Sequence, residues 1–162
     1  MKTWLKPLRV TVITALLALI TDQLVKWVLI HAVGLGTPEH PPIIVTDFFM
    51  LVMVWNYGIS FGMLAHPETY VPWFLIAASL LIVLVVAGLA RTCTQHHERI
   101  AYGLIIGGAL GNVIDRVRYG AVADFFYFHI GELYWPAFNI ADASIFCGVA
   151  ALVLGSFLGR RT

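Results

Sequence analysis

Charge is scarce in this chain: only 12% of its 162 residues are Asp, Glu, Lys or Arg, against roughly a quarter in a soluble globular domain. With 60% hydrophobic residues and a mean hydropathy of +0.86, that deficit excludes an ordinary soluble domain and predicts a small polytopic membrane protein. No Lys/Arg cluster with interleaved aromatics is present and the formal net charge is +1, so a nucleic-acid partner is excluded. Cysteine is almost absent: Cys93 and Cys147 have no metal-ligand spacing and are not expected to form a disulfide. There is no HExxH, and the six histidines are scattered apart from His96-His97, so no metal site is expected. A small-x-small cleavage site is also missing after the apolar run Val10–Ile20. Although Lys2, Lys6 and Arg9 open the chain like a signal peptide, the run continues past Thr21-Asp22-Gln23 to Ile30 and reads as a retained helix.

What is abundant is apolar sequence of spanning length. Val71–Ala90 is free of charge for about 20 residues, enough to cross the hydrocarbon core at about 1.5 Å per residue. Ile100–Ile114 is short and is expected to extend at one end, and a fourth run begins at Ala143 and ends at Arg160-Arg161. The chain therefore reads as one integral-membrane domain with spans over about 10–30, 71–90, 98–117 and 141–159 and outer connectors over 31–70 and 118–140. Lys2, Lys6, Arg9, Arg91, Arg99, Arg160 and Arg161 fall on one side of this arrangement, and 31–70 has no Lys or Arg, so both termini are expected in the cytoplasm. Arg116 and Arg118 break the rule and require an explanation.

Gly103, Gly107 and Gly111 recur at intervals of four, with Gly108 beside them, a pattern for close helix packing. In the first connector, Ile43–Val45 and Phe48–Trp55 are rich in β-branched and aromatic residues around a turn at Thr46-Asp47, which predicts a short sheet at the membrane surface. Trp55, Tyr57, Trp73, Tyr127, Tyr134 and Trp135 would form an interfacial belt, either as anchors alone or also against substrate. The expected fold class is thus membrane all-α, four transmembrane helices with a small extracytoplasmic β-sheet and outer connector.

The polar stretch from Asp115 to Asp142 interrupts this apolar chain, and ionisable groups at a bilayer edge point by default to a functional site. Connectivity can bring Asp124 and Asp142 to one membrane face, where two neighbouring carboxylates share a proton and can act as base and acid on one water. Asp142 also fits a second role, because Asn139-Ile140-Ala141-Asp142 reads as an N-cap followed by an acid in the first helical turn. Asp22 and Lys26 stand one turn apart on the first span, spaced for a structural ion pair or for catalysis. Asn112 lies one turn below Asp115-Arg116, suited to hydrogen bonds across helices, while Arg116 can equally meet a phosphate or a carbonyl. Asn56-Tyr57-Gly58 opens a turn, followed by Phe61-Gly62.

Together, Asp22-Gln23-x-x-Lys26, Asn56-x-Gly58-x-x-Phe61-Gly62, Gly107-Gly108-x-x-Gly111-Asn112-x-x-Asp115-Arg116 with Val122-x-Asp124-Phe125, and Phe138-Asn139-x-Ala141-Asp142 resemble the bacterial lipoprotein signal peptidase family, signal peptidase II. The motifs occur in the family's order over most of the chain; Ser60 stands where the family more often has alanine. The resemblance implies an aspartic endopeptidase of the bacterial inner membrane, without metal or organic cofactor, that works near the outer face. Its partners would be membrane lipid and diacylglyceryl-modified prolipoproteins, cut just before the lipidated cysteine. It implies Asp124 and Asp142 as the catalytic pair, with Asn56, Gly108, Asn112, Arg116 and Asn139 binding substrate or supporting the site, and Asp22 and Lys26 as supporting polar positions. Two other readings compete: a small proton-coupled transporter relaying through Asp22, Lys26, Asp115 and Arg116, and a metal-dependent hydrolase using Asp and His129.

Overall fold

The structure, a computed structural model, describes residues 5–37, 41–58 and 70–158. Ser60, Phe61 and Gly62, and the basic residues Lys2, Arg160 and Arg161, lie outside the described residues. In chain order the elements are α1 (Leu5–Trp27), a π-helical turn (Val28–Ala32), β1 (Ile43–Thr46), β2 (Phe49–Asn56), α2 (Val71–Thr92), α3 (His96–Tyr119), β3 (Val122–Ile130), β4 (Leu133–Phe138) and α4 (Ile140–Leu158). The four helices are long and apolar enough to cross a membrane. Leu17, Leu81, Leu84, Phe146 and Phe157 are among many large apolar side chains left exposed on them, as hydrocarbon-facing surfaces require. Short Ile100–Ile114 becomes a full span because α3 extends at both ends, taking in His96-His97 before it and Arg116 to Tyr119 after it.

The packing divides into two units, one of Met1–Asp22, Ala78–Val113 and Ile140–Thr162, the other of Gln23–Ala77 and Ile114–Asn139. In the first, the glycines of α3 form the expected seam. A Cβ on Gly107 would strike the Ala15 carbonyl oxygen of α1, one on Gly108 the Ala141 carbonyl oxygen of α4, and one on Gly111 would lie 2.6 Å from Asp22 Oδ2. Without a hydrophobic drive between helices in lipid, such backbone approach is a main source of association. Gly107→Val is therefore expected to destabilise by about 1–3 kcal/mol or more through overpacking. Gly88→Ala, with nothing within 4 Å of the added Cβ, should be neutral or stabilise by up to about 1 kcal/mol; thermal unfolding in detergent checks the pair.

The second unit is built on a four-stranded antiparallel sheet in the order β1-β2-β3-β4. The first hairpin forms where the β-branched and aromatic run predicts it, with its turn at Asp47-Phe48, one residue later than expected: Thr46 pairs with Phe49, and the Phe48 N–H donates to Thr46 Oγ1. The second hairpin lies in the connector read only as outer loop. Ile130 pairs with Leu133 across a two-residue turn opened by Gly131 at φ 58, a conformation that favours glycine. Phe49, Phe126, Phe128 and Phe138 stack, tilt or meet edge to face across β2, β3 and β4, with ring centroids 4.6–6.0 Å apart. Of the expected interfacial rings, Tyr57, Trp73, Tyr134 and Trp135 are exposed, whereas Trp55 is tilted against Tyr119.

Candidate active site

In the second unit the site starts from Asp115, on the last turns of α3 and almost fully buried. Lys26 Nζ lies 2.7 Å from its Oδ2, Gln23 Nε2 donates to its Oδ1 at 2.9 Å, and the Ala123 N–H donates to Oδ2 at 3.2 Å. A buried carboxylate is tolerable on these terms, with a cation and two further donors around it. Lys26, spaced i, i+4 from Asp22 on α1, meets a carboxylate of another helix, Asp115.

Asp124, third residue of β3, is buried and receives two carboxamides: Asn56 Nδ2 donates to its Oδ2 at 3.1 Å and Asn139 Nδ2 to its Oδ1 at 2.7 Å. Asn56, at the end of β2, is itself held, since the Gly58 N–H donates to its Oδ1 at 3.1 Å in an Asx turn. Arg116 Nη2 donates to the Gly58 carbonyl at 3.0 Å, so this rule-breaking arginine anchors the turn that aims Asn56. Asn139 Nδ2 also reaches the Ala123 carbonyl at 3.3 Å. Gln23 stands in the motif Asp22-Gln23-x-x-Lys26 but was given no role of its own, and no sequence signal marks the Ala123 backbone.

In the first unit Asp142 lies in the first turn of α4 and accepts from Asn112 Nδ2 at 2.9 Å. Asp22, fully buried, accepts the Ala141 N–H at Oδ1 at 2.9 Å, so a carboxylate from α1 satisfies one of the orphan donors at the start of α4. Gly108 supports this contact by letting α3 approach the same turn. Asn139 stands at the position expected for a cap, directly before α4, and its amide N–H groups point to Asp124 and the Ala123 carbonyl. His129 is a strand residue whose ring lies 6.3 and 6.2 Å from those of Tyr127 and Tyr134. Among the described residues no three His, Cys, Asp or Glu side chains are grouped as a metal ion would need.

A family model described as Signal peptidase (SPase) II matches residues 14–158. The chain belongs to the signal peptidase II family. It is 41% identical over 149 residues to a lipoprotein signal peptidase of Beijerinckia indica, covering 92% of this chain and 88% of that one. To that of Nitrobacter hamburgensis it is 43% identical over 157 residues, with 94% of both covered. A bacterial membrane enzyme solved by the in meso method at 2.3 Å resolution matches with a TM-score of 0.76 at 26% identity, covering 91% of this chain and 87% of that one. As a signal peptidase II, the protein is a multi-pass bacterial membrane peptidase with four apolar helices and a small antiparallel sheet. The transporter reading has no support in these similarities.

Proposed function

We propose that this signal peptidase II is an aspartic endopeptidase in which Asp124 and Asp142 jointly activate the water that cuts a diacylglyceryl-modified prolipoprotein just before its lipidated cysteine. The observation that carries the reading is how the acids are held. Asp124 and Asp142 are oriented by asparagine amides from Asn56, Asn139 and Asn112. Asp115, by contrast, is engaged with Lys26, and Asp22 with the start of α4. An amide donor fixes where a carboxylate oxygen points without supplying the full positive charge that locks it as an anion. Asn139, which donates to Asp124, is also only three residues before Asp142 in the chain.

With one carboxyl ionised and the other protonated, the ionised group takes a proton from water as its oxygen attacks the scissile carbonyl. The protonated group gives its proton to the developing oxyanion. Collapse of the tetrahedral intermediate breaks the C–N bond: the leaving amine takes up the proton first removed from water, and a hydroxyl of the gem-diol returns a proton to the second carboxylate as the new carboxyl forms. Arg116 and the asparagines hold substrate backbone in register, while the diacylglyceryl chains stay in lipid. The basic residues support cytoplasmic termini in the bacterial inner membrane and a site near its outer face.

Purified protein in phospholipid vesicles is expected to cleave a diacylglyceryl-modified lipobox peptide and to spare its unmodified twin. Cleavage should survive a chelator and reagents that acylate serine or alkylate cysteine. Loss of cleavage on chelation would overturn the aspartic assignment and return the hydrolase that uses His129.

A further inference from the structure

The residue just before Asp124, Ala123, is gripped at both of its backbone polar groups. Its N–H donates to Asp115 Oδ2 at 3.2 Å, and its carbonyl accepts from Asn139 Nδ2 at 3.3 Å. Ala123 is fully buried. The Asp115 oxygen that receives this N–H is the one that Lys26 Nζ meets at 2.7 Å, and Gln23 holds the other oxygen. Gln23 and Lys26 on α1, Asp115 on α3 and Ala123 on β3 therefore form one continuous link that ends on the backbone of the residue directly before Asp124.

We propose that Asp115, oriented by Lys26 and Gln23, is a positioning residue that fixes Asp124 through the Ala123 amide. This rests on Asp124 being a reacting acid. The ion pair holds the Asp115 carboxylate still, the carboxylate fixes the peptide plane that carries the Ala123 N–H, and with Asn139 on the Ala123 carbonyl this sets the backbone from which Asp124 starts. A displacement of about 1 Å at a reacting group can cost on the order of 100-fold in rate, so the link acts on kcat without touching substrate.

Two doubly substituted proteins separate positioning from simple stabilisation. Lys26→Met/Asp115→Asn removes both charges but keeps a carboxamide oxygen to accept the Ala123 N–H, and it should lose much less kcat than the protein without an acceptor. Lys26→Met/Asp115→Ala removes the charges and the acceptor. It is expected to lose about 100-fold in kcat, with KM for the diacylglyceryl lipobox peptide unchanged. Its two pH limbs should also lie closer together, because carboxylates held less closely couple less. Equal kcat and equal pH profiles for the two proteins, both folded by circular dichroism, would overturn the proposal. Should the alanine protein not fold, Lys26→Met/Asp115→Leu, which fills the space without an acceptor, takes its place under the same criteria. A failure of the underlying reading is distinguishable, since it would show as activity in Asp124→Asn whatever happens at Asp115.

Discussion

Asp142→Asn is expected to fold like the parent protein and to cleave a diacylglyceryl lipobox peptide at least about 10³-fold more slowly, the scale of a lost general acid or base. Asp142 accepts from Asn112 through Oδ1, and an asparagine can keep its carbonyl oxygen there. At Asp124 both oxygens accept, one from Asn56 and one from Asn139, so an asparagine must turn its own NH₂ toward one of these donors. Asp124→Asn should therefore lose activity to the same extent and in addition lose about 1–3 kcal/mol for the unsatisfied buried contact. The pair of results also separates two roles for Asp142. As an acid in the first turn of α4 it interacts with the helix dipole, an interaction worth about 0.3–1 kcal/mol. If Asp142→Asn lowered stability by that amount and left cleavage near the parent rate, the residue would be a helix-terminus acid and the dyad would be wrong.

Where the sequence was informative, the signal was local and periodic. Uninterrupted apolar length marked α2, and the four-residue glycine interval placed Gly107 against α1, with Gly108 beside it against α4. The first hairpin followed from β-branched and aromatic residues around a turn. The second hairpin falls in the stretch read as the outer connector 118–140, although Gly131-Glu132 separates two aromatic-rich runs there. Side-chain partners were the least legible. Asp22 reaches an amide 119 positions away and Asn56 a carboxylate 68 positions away, distances over which spacing along one helix says nothing. The i, i+4 interval of Asp22 and Lys26 gives no sign of Asp115, which gathers Lys26, Gln23 and the Ala123 N–H. The grouping of Asn56, Asn112 and Asn139 with the two aspartates came from the order of the family's motifs; the structure supplies the oxygen each amide meets.

The same burial makes Lys26→Met the substitution with the largest expected effect on stability. The side chains of Lys26 and Asp115 are 3% and 1% exposed. Removing the lysine leaves a buried carboxylate with only Gln23 and the Ala123 N–H among the donors described above, and an uncompensated buried charge costs about 3–5 kcal/mol. Asp115→Asn alone takes away the carboxylate that Lys26 meets at 2.7 Å and should also destabilise. The double substitution Lys26→Met/Asp115→Asn removes both charges, leaves an amide to accept the Ala123 N–H, and should recover most of the loss, because a buried pair replaced by groups of similar volume is often neutral or better. Unfolding of all four proteins in one detergent gives the coupling energy directly. Single substitutions that simply added in the double would show that the pair makes no energetic contact and that the strength of this unit lies in its sheet.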